Sequence, residues 1–267
     1  MEAAARLVRT SFDGGHMEWR VWGHGSPLVL LHGGHGSWTH WIRNVLPLAG
    51  RYRVIAPDLP GYGGSDPPPG EIDAEALAAI VVAGLDQVDG HEAPAAFAGF
   101  SFGGVMAGYV AARMPERVRR LVLLGAGGLA LPRPPPPRLV KWQEAATEAE
   151  SRAAHRANLQ SVMIADPRKV DDLAVYLQAE NTRRARLRSR SISLTDALIR
   201  QLDQVHLPLA GIWGERDAMT GSYVDTRREL LRRLDPGCPF LVVKGAGHWV
   251  QYEAAAEVNA GLVSILG

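Results

Sequence analysis

A single serine stands inside a glycine-rich turn near the middle of the chain. The stretch GFSFG, residues 99–103, fits the pattern G-x-S-x-G. In this pattern the flanking glycines let neighbouring backbone approach closely, and the serine hydroxyl is exposed above a sheet at the start of a helix. An apolar run at 95–98 and a helical pattern at 105–114 supply that context. Ser101 is therefore a candidate nucleophile.

A serine nucleophile needs a base, because its hydroxyl is too weakly acidic to react at neutral pH. Three histidines follow it in the chain, His155, His206 and His248. We expect His155 to face solvent on a charged helix, and His206 precedes a strand. His248 follows the apolar run 240–244 through a short loop, so it falls at the carboxyl edge of the sheet with the serine. His248 is the candidate base.

The histidine in turn needs a carboxylate to orient it. The apolar run 209–213 leads into Gly-Glu-Arg-Asp, which offers Asp217, our first choice, and Glu215 as the alternative. Asp58 also follows an apolar run, but it precedes the serine in the chain. We interpret Asp58 as a residue that holds a turn.

Acyl transfer also requires donors for a developing oxyanion. The run LVLL, residues 28–31, continues into the glycine-rich loop HGGHG, residues 32–36. Glycine loops at strand ends can turn backbone N–H groups toward a ligand. The natural pair of donors is the N–H of Gly34 and the N–H of Phe102, which follows the serine.

Short apolar runs that alternate with helical patterns must position these residues. The first of them stop at Gly, Pro or Asp, as buried parallel strands do. Strand followed by helix, repeated, predicts an α/β fold with a mostly parallel sheet. Residues 125–138 are too rich in Gly and Pro for regular structure, and residues 139–205 look helical and charged. The predicted strands are 17–22, 28–31, 54–56, 95–98, 121–124, 207–213 and 239–244.

Composition narrows the class of protein. The chain has 267 residues and a net charge of +1, which gives no electrostatic basis for a nucleic-acid partner or an anionic membrane. Its one cysteine, Cys238, excludes an internal disulfide. We expect a soluble, cytoplasmic protein, since no signal peptide or membrane span is evident. His32, His35 and His40 lack a carboxylate or cysteine at metal-binding spacing, so we expect no metal and no cofactor.

These motifs together resemble the α/β-hydrolase family. LVLLHGG, VIAPDLPGYGGSD, GFSFGG, WGERD and GAGHWVQYE occur in that family's order and spacing. The resemblance implies an eight-stranded-type α/β-hydrolase core at 1–125 and 206–267, with a helical cap inserted at 126–205. It also implies Ser101 as nucleophile, Asp217 as acid and His248 as base, with Gly34 and Phe102 as the oxyanion hole.

A serine nucleophile differs from the carboxylate used by the dehalogenases and epoxide hydrolases of this fold. The resemblance therefore implies a cofactor-free hydrolase that forms an acyl-enzyme on a small carbonyl substrate, such as an ester. A ligand receptor on this scaffold and a haloperoxidase-like side activity are further alternatives. The sequence leaves the oligomeric state open.

A narrower resemblance, to the C–C hydrolases of meta-cleavage products, gives the main alternative. HGGHGSWTHWIRNV and GHWVQYE are similar to that group, in which a tryptophan follows the catalytic histidine and a cap arginine holds the substrate carboxylate. The chain departs from the group at Phe100, His40 and the loop HGGHGS. Any arginine within 183–190 could bind a carboxylate in this way. The predicted pocket comprises His35, Trp38, His40, Trp41, Phe100, Phe102, Arg183, Arg184 and Trp249.

Overall fold

Eight strands build one central sheet in the computed structural model, which describes residues 4–70, 73–89 and 93–267. The strands are β1 (Arg6–Phe12), β2 (Gly15–Trp22), β3 (Pro27–Leu31), β4 (Arg53–Pro57), β5 (Ala95–Phe100), β6 (Val118–Leu124), β7 (Leu209–Gly214) and β8 (Phe240–Val243). Their order is β1-β2-β4-β3-β5-β6-β7-β8. β2 runs antiparallel to both of its neighbours, and the other pairs are parallel. The predicted α/β-hydrolase fold is confirmed.

Helices cover both faces of this sheet. Successive side chains of an inner strand point to opposite faces, and each face carries its own apolar cluster. In β3, Leu28 and Leu30 pack into one cluster while Val29 and Leu31 pack into the other. The helices are α1 (Val45–Ala49), α2 (Ala74–Asp89), α3 (Phe102–Arg113), α4 (Glu148–Asn158), α5 (Asp172–Arg184), α6 (Arg190–Ser193), α7 (Ala197–Leu202), α8 (Val224–Leu234), α9 (Val250–Glu253) and α10 (Ala255–Leu266).

The strand β1 was not predicted from the sequence. It pairs antiparallel with β2 along the whole of Arg6–Phe12. Most of its side chains are at least partly exposed, so the edge strand lacks the apolar run that marks the inner strands. Its polar face explains why the pattern did not indicate it.

The chain between β6 and β7 carries helices α4 to α7. Residues 125–138 form no helix or strand, as their Gly and Pro content predicts. We call residues 126–205 the cap segment, and their division from the core as a separate domain stays a prediction. Within the described part of the chain, none of the helices combines the length and apolarity needed to span a bilayer.

The carboxyl ends of the parallel strands meet at one edge of the sheet. The loops that follow β3, β5, β6, β7 and β8 all leave from that edge. Ligands bind to open α/β sheets at this edge. At this edge, Gly34 follows β3, Ser101 follows β5, Asp217 follows β7 and His248 follows β8.

Candidate active site

Ser101 occupies a strained turn between β5 and α3. Its backbone angles are φ 52° and ψ −112°, and a positive φ is costly for any residue other than glycine. The Ser101 N–H donates to the Leu124 carbonyl at 2.9 Å, which fixes the turn against β6. A Cβ on Gly99 would collide with the backbone of Gly103, and a Cβ on Gly103 would collide with the Leu31 carbonyl. The two glycines are therefore required by close backbone contact.

His248 and Asp217 form a buried hydrogen bond. The Nδ1 atom of His248 lies 2.9 Å from Oδ2 of Asp217, and the residues are only 5% and 1% exposed. The other carboxylate oxygen accepts the N–H groups of Met219 at 2.8 Å and Thr220 at 3.2 Å. Glu215 is exposed and accepts the Gly245 N–H instead. Of the two acids considered, only Asp217 contacts the histidine.

Ser101 and His248 line one cleft, of about 80 Å³. Gly125 also lines the cleft and packs closely against the His248–Asp217 pair. A Cβ at this position would lie 3.1 Å from His248 Nδ1 and 3.2 Å from Asp217 Oδ2. In the described part of the chain, the Ser101 hydroxyl forms no hydrogen bond with the His248 ring. Such bonds are often long before substrate binds and tighten in the reacting complex.

The two candidate oxyanion donors lie in the loop after β3 and at the start of α3. The Gly33 N–H donates to Nδ1 of His40 at 3.2 Å, so the loop is fixed at the residue before the candidate donor Gly34. Phe102 is the first residue of α3, so its N–H has no acceptor within the helix. Asp58 holds the same loop, because its carboxylate accepts the Trp38 N–H at 2.8 Å.

Burial keeps His40 neutral. It lowers the pKa of His40 well below 6.5, and nearby His32, His248 and His35 lower it further. A neutral imidazole can accept the Gly33 N–H at Nδ1, and the low pKa preserves this acceptor in mildly acidic solution.

Several residues of the predicted pocket lie beneath the cleft and do not line it. His40 packs edge-on against Phe100 and Trp249, with ring centroids 5.3 and 5.1 Å apart. Trp38 packs against Trp22, and His35 is exposed on the loop with a φ of 52°. The partial desolvation of the His35 ring, and then the charges of Arg190 and Arg188, lower its pKa.

Two cap arginines of the predicted pocket point to solvent. Arg183 and Arg184 are exposed and both pair with Glu180, at 2.8 and 3.3 Å. The structure does not bring either guanidinium to the cleft. The position expected for His155 is wrong: the residue is 1% exposed on the inner face of α4. Its ring packs against Trp142 in a tilted arrangement, with ring centroids 5.1 Å apart.

The sequence analysis missed three residues that lie at the site. Ser189 of the cap segment lies against the glycine-rich loop 32–36, which we call the oxyanion loop after its candidate donor Gly34. Its hydroxyl would collide with a Cβ on Gly34. Ser193 and Arg227 line the cleft itself. The sequence carried a signal for Arg227. The residue shares the apolar face of α8 with Leu230 and Leu231, where a charged side chain is unexpected.

The described ranges contain no cluster of three His, Cys, Asp or Glu side chains that could hold a metal ion. The cleft and its surroundings present three kinds of group with a chemical role. Those groups are a hydroxyl on a strained turn, an imidazole oriented by a carboxylate and two backbone N–H groups.

Known proteins are similar to this chain in sequence. The chain is 31% identical, over 90% of its length and 86% of the relative, to a 2-hydroxy-6-oxononadienedioate/2-hydroxy-6-oxononatrienedioate hydrolase of Cupriavidus pinatubonensis. It is 32% identical, over 99% of its length and 68% of the relative, to the dihydrolipoyllysine-residue acetyltransferase component of the acetoin cleaving system of Pseudomonas putida.

Solved structures give the same fold. An esterase of Rhodococcus superposes with a TM-score of 0.76 at 24% identity, covering 98% of each chain. A meta-cleavage product hydrolase of Pseudomonas fluorescens superposes with a TM-score of 0.79 at 24% identity, covering 97% of each chain. A model of the alpha/beta hydrolase family matches residues 28–260. With its sheet order, its serine turn and this match, the chain belongs to the alpha/beta hydrolase family.

Proposed function

We propose that the protein is a serine hydrolase that cleaves a carboxylic ester or similar carbonyl substrate through an acyl-enzyme. The observation that carries this proposal is the buried 2.9 Å hydrogen bond between His248 and Asp217, in the cleft that Ser101 lines from its strained turn. The carboxylate orients the ring with its proton on Nδ1, so that Nε2 is free to act as a base.

In the first half of the reaction, Ser101 Oγ attacks the substrate carbonyl and His248 Nε2 takes the hydroxyl proton. The carbonyl π electrons move to oxygen, and the oxyanion accepts hydrogen bonds from the N–H groups of Gly34 and Phe102. The intermediate then collapses. The C–O bond to the alcohol breaks, and His248 returns its proton to the departing oxygen.

In the second half, water replaces the alcohol. His248 removes a proton from water as the water oxygen attacks the acyl carbon, and the same backbone donors stabilise the second oxyanion. The Ser101 ester bond then breaks, and the serine oxygen recovers its proton from the histidine. The acid product leaves and the enzyme returns to its starting state.

The second candidate function is C–C bond hydrolysis of a meta-cleavage dienoate. The similarity to the 2-hydroxy-6-oxononadienedioate hydrolase and the tryptophan after the histidine favour it. The exposed, paired positions of Arg183 and Arg184 do not favour it, because a cap arginine was expected to hold the dienoate carboxylate. We therefore keep ester hydrolysis as the main proposal.

The two functions separate in one assay. We would measure kcat/KM on a short-chain nitrophenyl ester and on a meta-cleavage dienoate, with Ser101→Ala as the inactive variant and Ser191→Ala, an exposed serine, as its control. Ester turnover that exceeds dienoate turnover and is lost in Ser101→Ala supports the main proposal. A dienoate preference of orders of magnitude supports the second. Full activity of Ser101→Ala on either substrate contradicts both.

A further inference from the structure

The cleft beside Ser101 is lined by arginine side chains. Arg227 and Arg133 belong to its lining, and no Asp or Glu among the described residues does. Arg133 is exposed at the rim, whereas Arg227 is only 6% exposed. A guanidinium stays protonated in proteins, and a buried charge is costly unless something compensates it.

Arg227 is held in place by one nitrogen. Its Nη1 donates to the carbonyl of Pro132 at 2.6 Å and to the carbonyl of Tyr223 at 3.1 Å. Its other two nitrogens have no hydrogen-bond acceptor in the described part of the chain, and no carboxylate lies within ion-pair distance. Burial lowers the pKa of Arg227, and the more distant Asp217 opposes this effect.

A second polar side chain of the cleft lining is without a hydrogen-bond partner within the described ranges. The Ser193 hydroxyl is shielded from solvent and forms no hydrogen bond with any described residue. It comes from the cap segment, while Arg227 comes from α8 of the core, so the two groups approach the cleft from different parts of the fold. Buried polar atoms are nearly always satisfied, and an exception calls for an explanation, of which a ligand bound from outside the chain is one.

We infer that this part of the cleft is a carboxylate-binding subsite in which Arg227 and Ser193 bind an anionic group of the substrate, with Arg133 at the rim. This deepens the proposed function and rests on it. The substrate class is then a carbonyl compound that carries a carboxylate. Recognition comes from a core arginine on the helix after the acid-bearing loop, and not from Arg183 or Arg184.

Two matched pairs of esters test the subsite. One pair is mono-p-nitrophenyl glutarate and p-nitrophenyl pentanoate, which differ by a carboxylate on the acyl side. The other is 4-carboxyphenyl acetate and its methyl ester, which differ on the leaving-group side. We expect the native enzyme to prefer the anionic member of at least one pair by about 10- to 100-fold in kcat/KM, mainly through KM.

The variants identify the group responsible. Arg227→Gln should abolish the preference and Ser193→Ala should reduce it, so each variant should lower kcat/KM more for the anionic ester than for its neutral partner. Arg228→Gln is the matched control, because Arg228 is the next residue of α8 and pairs with Asp225 at 2.8 Å. A native enzyme without preference for either anionic ester, or a preference that survives in folded Arg227→Gln, overturns the inference.

A binding measurement keeps the test independent of catalysis and of the Arg227→Gln fold. Calorimetric titration of the Ser101→Ala protein with glutarate and with neutral glutaramide compares the two ligands directly. Tighter binding of glutarate, weakened by Arg133→Gln and by added salt, supports the subsite even if no ester is turned over. Equal binding or no binding of the two ligands contradicts it. Failure of the serine-hydrolase proposal itself would appear separately, as Ser101→Ala activity equal to that of the native protein.

Discussion

The indole N–H of Trp249 donates a 2.8 Å hydrogen bond to the carbonyl of His40. Trp249 directly follows the candidate base, and His40 holds the Gly33 N–H of the oxyanion loop. The loop that carries the base is thereby attached to the loop that carries the candidate oxyanion donor. Both residues are fully buried, so the bond is shielded from water.

Trp249→Phe should weaken this connection. The substitution keeps most of the apolar ring but leaves the buried His40 carbonyl without its donor, which typically costs about 1–3 kcal/mol in unfolding free energy. We expect reduced stability in urea and a lower kcat with little change in KM. The control is Trp142→Phe in the cap segment, since Trp142 packs against His155 and does not line the cleft. Unchanged kcat in Trp249→Phe would show that the connection does not matter for the reaction.

Asp217→Asn should lower kcat by roughly 10³- to 10⁴-fold, because an amide no longer fixes the ring with its proton on Nδ1. Glu215→Gln is the matched control, since Glu215 lies two residues earlier and its carboxylate accepts the Gly245 N–H. We expect its kcat to stay within about twofold of the native value. The reverse ranking of the two variants would assign the acid to Glu215. Steady-state kinetics on one nitrophenyl ester suffices to compare them.

His40 should make the protein less stable in acid. Its pKa in the folded state is held well below 6.5, so below that pH the unfolded chain binds a proton that the folded chain does not. The free energy of unfolding therefore falls as the pH drops through 6.5 toward the folded-state pKa, by up to about 1.4 kcal/mol per pH unit from this group. Urea unfolding at several pH values measures the slope.

His40→Gln removes the titrating group but retains an acceptor for the Gly33 N–H. We expect its stability to depend less on pH than that of the native protein, by about one proton over this range. His24→Gln, at an exposed position, controls for the loss of a histidine elsewhere. An identical pH slope in His40→Gln and the native protein would mean that His40 is not held neutral by the fold.

Gly34→Ala should displace the oxyanion loop, because the cap residue Ser189 lies against Gly34. The new Cβ collides with the Ser189 hydroxyl, whereas φ at Gly34 lies outside the left-handed region that favours glycine. Displacing one oxyanion donor costs about 10²- to 10³-fold in kcat. Combining Gly34→Ala with Ser189→Gly removes the collision and should recover at least about tenfold of that loss. No recovery, with Ser189→Gly alone active, would show that the loop is sensitive to Gly34 for another reason.

Local patterns were sufficient to predict most of the fold. The inner strands are apolar runs with clear ends, so their order along the chain indicates the sheet. The edge strand β1 was missed because its exposed side chains carry no such run. The contact between Asp217 and His248 follows from the topology, since each residue lies in a loop at the carboxyl edge.

Side-chain directions in the cap segment could not be predicted in the same way. Arg183 and Arg184 sit in a basic stretch whose local sequence does not say which residues face the cleft, and the structure turns both to Glu180. Ser189 acquires its position over Gly34 only through tertiary packing. His155 is buried because α4 places it against Trp142, a contact that a charged helical pattern conceals.

The most direct test of the central claim is covalent labelling with a fluorophosphonate, followed by peptide mass spectrometry. We expect a single adduct on Ser101, which is absent in Ser101→Ala. The adduct should form much more slowly in His248→Ala, because the imidazole must take the serine proton. Labelling of a different residue, or ester turnover by Ser101→Ala at the native rate, would contradict the assignment of Ser101 as the nucleophile.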